Sequence, residues 1–287
     1  MSGAVVVGEQ PELSLAGIAA KSRTENFTVA SRLLPRSLRA HLGAVYGFAR
    51  FVDDVGDLAP GDRERQLDWV EAELARSFQG HATHPVLVAV ERSAAELGLD
   101  RRPFDDLIAA NRQDQRVSRY PTYADLEAYC ALSANPVGRL VLAILGRRDA
   151  LAVALSDLVC TGLQLVEHWQ DVAEDLRAGR IYLPLEDLER FGVAEEELAA
   201  PAATPAFRRL MAFEVGRARD LLRSGAPLVG LLAPAGRVAV AGFVGGGLAQ
   251  LDAVERHGYD VLAYRVKASR CAVGARAAAL LAARRRR

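Results

Sequence analysis

Phe48-Ala-Arg-Phe-Val-Asp-Asp-Val-Gly-Asp57 and Gln164-Leu-Val-Glu-His-Trp-Gln-Asp-Val-Ala-Glu-Asp175 are the two stretches that decide how this chain of 287 residues reads. Each carries two aspartates four residues apart, Asp53 with Asp57 and Asp171 with Asp175. In a helix such a pair lies on one face, about 6 Å apart along the axis. Two like charges held that way repel, so the arrangement is costly unless a cation stands between them. Two such pairs inside otherwise apolar helices point to a cleft for Mg2+, an ion that usually completes its shell with substrate phosphates.

Outward from the first pair, Tyr46, Arg50, Asp53 and Asp57 form one polar stripe, flanked by apolar Leu42, Val45, Phe48, Ala49 and Val52. The ordinary alternative is a surface helix in which Asp54 pairs with Arg50 at i+4. The second stretch weighs against it. From Leu151 to Trp169 the helix is apolar around most of its circumference, which predicts burial. Its exceptions, Gln164, Glu167 or His168, Asp171 and Asp175, fall in one register. Unpaired buried carboxylates cost several kcal/mol and need cations or donors. Two polar stripes facing one another across an apolar bundle supply them.

The rest of the chain reads as helix punctuated by proline. The pattern predicts helices over 37–57, 62–79, 85–98, 103–117, 122–133, 136–146, 149–177, 205–224, 234–257 and 259–284. Period-two strand patterns are scarce, and no Asn-Gly or Asp-Gly hairpin turn occurs. With no internal repeat beyond the acidic motifs and no long linker, residues 1–287 read as one all-α domain. Residues 1–20 are expected to be a flexible start and 284–287 a solvated basic tail.

A formal net charge of zero gives no argument for a nucleic-acid partner. Lysine occurs only at Lys21 and Lys267, every other basic residue being arginine. Cys130, Cys160 and Cys271 have neither disulfide nor metal spacing and suit a reducing cytoplasm. No export signal is read at the start. The uncharged run Val238 to Leu251, with its four glycines, is too short for a bilayer and reads as a buried core helix. His81-Ala-Thr-His84 lacks the spacing of a zinc site, and Gly242-Phe-Val-Gly-Gly-Gly247 reads as helix-packing glycines.

Tyr46 to Asp57, Gln164 to Asp175 and Gly179-Arg-Ile-Tyr-Leu-Pro184 together resemble the squalene/phytoene synthase family over roughly residues 22 to 270. Glu25-Asn-Phe-Thr-Val-Ala-Ser-Arg-Leu-Leu-Pro35, Tyr129 to Arg139 and His168-Trp-Gln-Asp171 resemble its bacterial hopanoid-pathway branch, the hydroxysqualene synthases. The resemblance implies an all-α isoprenoid synthase bundle with a central cavity. It implies Mg2+-dependent ionisation of presqualene diphosphate and capture of the rearranged cation by water. By that resemblance Asp53, Asp57, Asp171 and Asp175 are metal ligands. Glu167, standing where the family usually has Asn, either is a further ligand that adds negative charge or turns toward an Arg and leaves that ligand position empty. Tyr129 is assigned to catalysis, and Asn26, Phe27, Tyr46, Arg50, Gln164, Arg180, Tyr182, Tyr259 and Arg265 to the substrate.

The chemistry fits these residue types. Charge builds on diphosphate oxygens as they leave, and metal ions, guanidinium forks and phenols neutralise it. Phe27, Phe48, Phe51 and Trp169 are candidates to wall in a carbocation, the alternative for each being plain core. Asn26, Asn135 and Gln164 are alternatives for positioning the water. Two other readings stay open. One is head-to-head coupling of prenyl diphosphates, giving presqualene diphosphate, squalene or phytoene; the absence of a nucleotide fingerprint weighs modestly against the NADPH-dependent squalene reaction. The other is a non-catalytic lipid-binding or assembly protein of the same fold. An apolar product also implies peripheral contact with the inner face of the membrane.

Overall fold

The computed structural model describes residues 35–283, and these form helices with no strand among them. The sequence readings on Asn26, Phe27, the first 20 residues and the terminal arginines fall outside the described residues. The helices are α1 (Arg36–Asp57), α2 (Arg63–Ser77), α3 (Pro85–Leu97), α4 (Arg102–Asp114), α5 (Tyr123–Ser133), α6 (Asn135–Ile144) and α7 (Ala150–Gln170). After them come α8 (Val172–Arg177), α9 (Leu185–Phe191), α10 (Pro205–Gly225), α11 (Leu228–Leu231), α12 (Pro234–Arg256) and α13 (Arg270–Ala283), with a 3-10 turn at Glu195–Ala199.

Their starts follow from local chemistry. Asp62, Asp149 and Thr204 each accept a hydrogen bond from a backbone N–H of the first turn they cap. Thr122 and Asp125 form a reciprocal capping box at α5. Pro85, Pro103, Pro136, Pro205 and Pro234 occupy first-turn positions, where a missing N–H costs nothing.

Three expectations need correction. The helix read over 149–177 is broken at Asp171, whose φ of -104° and ψ of 16° leave the helical region and separate α7 from α8. The helix read over 259–284 begins only at Arg270, because Gly258 and Tyr259 both adopt left-handed backbone, at φ 62° and 61°. The helix read over 103–117 stops at Asp114. The short α9, α11 and 3-10 turn were not anticipated, being too brief to show a helical period.

Two apolar clusters hold the bundle. One joins α1 to α4 and α6 through Phe48, Phe51, Val52, Leu67, Leu74 and Phe104. The larger gathers α7, α10 and α12 around Trp169, Phe207, Leu222 and Leu251. The Gly242–Gly247 run behaves as helix-packing glycine. A Cβ on Gly245 would come within 2.7 Å of the Ala277 backbone nitrogen, and one on Gly247 within 2.8 Å of Leu163 and Leu222. Both α7 and α12 are long and apolar enough to cross a bilayer by length and composition alone. In this fold they are bundle helices: 67% of the most apolar stretch of α12 is buried, and α7 lies against α6, α10 and α12.

Candidate active site

The first aspartate pair lies at the C-terminal end of α1. Asp53 is half-buried and accepts a hydrogen bond from the Asn111 side-chain amide of α4 at 3.2 Å. Asp57 is exposed at the last residue of the helix. Between them Asp54 is buried and pairs with Arg50 at 2.6 Å, so the i+4 pair of the ordinary reading does form on this helix. The charge of Arg50 nevertheless also reaches Asp53. Tyr46 is half-buried two turns earlier.

The second pair straddles the break between α7 and α8. The Asp171 carbonyl accepts from the backbone N–H groups of Glu174 and Asp175, which restarts the helix. Gly179, at φ 83°, then reverses the chain, and the Arg180 N–H returns to the Asp175 carbonyl at 2.9 Å. The reversal is pinned from the α4–α5 connection, where Arg119 donates to the Gly179 carbonyl at 2.8 Å. It leaves the Arg180 guanidinium 2.9 Å from Asp57, across 123 residues of sequence. Its field also acts on Asp114 and Asp175. One arginine therefore couples both acidic motifs.

The electrostatics show strain of a specific kind. Burial pushes Asp53 up to about 6, with Asp57 and Asp114 adding to it against Asn111 and Arg50. Burial and then Asp171 push Asp175 up to about 7, with Arg180 opposing. Asp171 is raised by burial and Glu174, against Arg265 and Lys267. Burial disfavours the charge of Arg180 as well, yet Tyr182, Asp57 and Asp114 outweigh it and hold the guanidinium charged. A set of carboxylates that burial and mutual repulsion both resist ionising fits divalent cations, which relieve each cost. Among the described residues no three carboxylate, imidazole or thiol groups enclose a metal ion by themselves. Ions held here would draw the remainder of their shell from water or ligand oxygens.

Asp114 is the residue that the sequence did not disclose. It accepts a hydrogen bond from the Tyr129 hydroxyl at 2.8 Å, and burial pushes it up to about 6 against that bond and Arg180. Tyr129 and Tyr182 are buried and stand in an aromatic group with Tyr120 and His168, the His168 and Tyr182 rings stacked at 3.7 Å. His168, Asp175 and Tyr182 border one small void together with Val172, Ile181, Leu183 and Leu198. Burial lowers His168 to about 3, so its imidazole is neutral, and its Nε2 meets the Gln164 amide nitrogen at 3.2 Å.

The remaining expected residues sit in varied environments. Glu167 is exposed on α7, the opposite environment from His168 beside it. Tyr259 stands next to Glu255 and Arg219, which perturb its hydroxyl, instead of among the aspartates. Arg265 is exposed, 3.6 Å from Glu174, and its charge reaches Asp171. Phe48 and Phe51 are core: the first packs edge-on to Phe104, the second stacks on His84. Trp169 is fully buried, with its indole N–H on the Glu214 carbonyl. Asn135 is buried and accepts from Thr161 at 3.1 Å, which commits it to the α6–α7 contact.

The family model described as squalene/phytoene synthase matches residues 20–272. A crystal structure of squalene synthase HpnC from Alicyclobacillus acidocaldarius is 44% identical, with a TM-score of 0.80 over 85% of this chain and 94% of that one. A hydroxysqualene synthase from Rhodopseudomonas palustris is 36% identical over 210 residues, 72% of this chain and 70% of the relative. A phytoene synthase from Arthrospira platensis is 32% identical over 256 residues, 84% of this chain and 83% of the relative.

Proposed function

This chain belongs to the squalene/phytoene synthase family and is an isoprenoid synthase of a family that acts on prenyl diphosphates, and from that premise we propose that it is a hydroxysqualene synthase. The reaction proposed is presqualene diphosphate plus water giving hydroxysqualene plus diphosphate. The carbon–oxygen bond to diphosphate breaks and its electron pair leaves with the oxygen. The cyclopropylcarbinyl cation rearranges, a water oxygen bonds to carbon, and the water's proton is released to solvent or to the departing diphosphate.

The observation that carries the site is Arg180, hydrogen-bonded to Asp57 while its field reaches Asp175 and Asp114. It supports one shared cleft for both aspartate pairs. Asp53 and Asp57 on one side, and Asp171 and Asp175 on the other, are the residues that would hold Mg2+, with Glu167 at the edge; the family is divalent-metal dependent. Bound there, the metal supplies Lewis-acid stabilisation of the leaving diphosphate. Arg180 and Arg265 add guanidinium donors to the same oxygens. Tyr129, whose single hydroxyl proton goes to Asp114 here, would exchange that bond for one to the diphosphate end when substrate binds.

Water capture is favoured over hydrocarbon formation by the Gln164–His168 pair. Its His168 ring stacks on Tyr182 and borders the same void as Val172, Asp175, Ile181, Leu183 and Leu198. Asn26, Asn135 and Gln164 all stay as water-positioning alternatives; the Asn135 oxygen accepts from Thr161 and the Gln164 amide nitrogen meets His168. The similarity to hydroxysqualene synthases points the same way. A presqualene diphosphate synthase from Rhodopseudomonas palustris at 35% identity keeps head-to-head coupling as the second reading.

Incubation of purified protein with Mg2+ and either presqualene or farnesyl diphosphate, followed by mass spectrometry, separates the two. An alcohol from presqualene diphosphate is the expected result. Turnover of farnesyl diphosphate with none of presqualene diphosphate contradicts it.

A further inference from the structure

Between α12 and α13 the chain runs as a non-helical strap, residues 257–269, which brings Arg265 to within 3.6 Å of Glu174, next to Asp175 of the second pair. Its two ends are tied differently. Near the start, Asp260 is buried, accepts from the Ala203 and Ala263 N–H groups, and pairs with Arg208 at 2.6 Å. Near the end, the Gln250 side chain of α12 acts as a clamp. Its amide nitrogen donates to the Val266 carbonyl at 2.8 Å, and its amide oxygen accepts from the Ala268 N–H at 2.8 Å. One side chain thus satisfies both backbone groups that flank Lys267, as a neighbouring strand would.

The clamp decides which side chains face out. Val266 is 2% exposed and plugs the bundle, while Arg265 and Lys267 on either side are exposed. The alternation is that of an extended segment with one buried face. Both exposed cations act on Asp171, and Arg265 reaches Glu174 at 3.6 Å. A pair of cations beside a carboxylate motif that would hold metal and diphosphate would add to the charge balance around the leaving group. An ammonium at Lys267 brings three rotatable donors and no fixed fork, so it can follow diphosphate oxygens as they move.

Resting on the metal-diphosphate reading of the aspartate site, we infer that Lys267 is a diphosphate-binding residue and that Gln250 is its positioning residue, clamping the strap so that Lys267 and Arg265 flank the second motif. Gln250 itself acts through its two hydrogen bonds to the strap backbone.

The test is binding of inorganic pyrophosphate with Mg2+ to the full-length protein by calorimetry, together with KM and kcat on presqualene diphosphate. Lys267→Met is expected to weaken pyrophosphate about fivefold, the scale of one exposed charge contact. Gln250→Leu is expected to weaken it by a similar factor, and the double variant no further than the worse single one. Gln250→Glu keeps the acceptor for Ala268 and is expected to lose less than Gln250→Leu. Unchanged pyrophosphate binding in Lys267→Met, an exposed substitution that leaves folding intact, overturns the inference while the aspartate site stands. Independent, multiplying losses from Gln250→Leu and Lys267→Met overturn the positioning role. A wild type that binds no pyrophosphate with Mg2+ overturns the aspartate site and this inference together, and Asp171→Asn serves as the non-binding control.

Discussion

Asp53, Asp114 and Asp175 are held by burial at about 6, 6 and 7, far above an ordinary aspartate. A carboxylate whose folded value is raised binds protons more tightly folded than unfolded. Its ionisation therefore subtracts stability as pH climbs from about 4 towards 7. Divalent cations relieve that loss only where the carboxylates are ionised. The rise in Tm on adding Mg2+ to metal-depleted protein is therefore expected to be larger at pH 8 than at pH 5.5, as differential scanning fluorimetry would show. An equal or larger rise at pH 5.5 would contradict the assignment. Removing one ligand should be severe: Asp53→Asn and Asp171→Asn are each expected to slow diphosphate release about 100-fold or more, the scale of losing one preorganised transition-state contact. The four motif aspartates were legible because i, i+4 acids inside apolar helices are hard to explain otherwise. Asp114 was not, because Arg112 and Arg116 around it make α4's end look like a solvated charged face. Only the fold brings Tyr129 to it.

At the scale of elements, proline and capping residues marked most helix starts, while the helix ends depended on backbone conformations that composition does not reveal. Apolar periodicity continues through Asp171 and through residues 259–269, so the break and the strap were both read as helix. Glycine spacing in α12 was read correctly as packing, and the structure divides it finely. Gly245→Ala and Gly247→Ala drive a methyl into α13 and α7 and are expected to cost about 1–3 kcal/mol by urea denaturation. Gly242 has nothing within 4 Å, so Gly242→Ala is expected to be neutral or to stabilise by up to about 1 kcal/mol. The junction of α9 and α10 rests on a buried charge group. Arg217 pairs with Asp187 and fully buried Glu214 and lies over the Tyr123 and Phe213 rings. Arg217→Met is expected to destabilise by about 3–5 kcal/mol, since it strands two buried acids. Burial pushes Glu214 up to about 8, so the loss should be larger at pH 9 than at pH 6.

For the whole molecule, the bundle has an apolar cluster on each side of the acidic cleft, one anchoring α1 and the other α7. Arg180 links the two motifs, hydrogen-bonded to Asp57 while its charge acts on Asp175. Preorganisation of that kind is what diphosphate ionisation requires, because the charge must meet its partners without rearrangement. The most direct measurement is turnover of presqualene diphosphate by the purified protein with Mg2+ in 18O-labelled water, read by mass spectrometry. The account predicts an alcohol carrying one labelled oxygen, formed only when divalent metal is present. Release of diphosphate with an unlabelled hydrocarbon as product, or equal turnover in excess chelator, would contradict it.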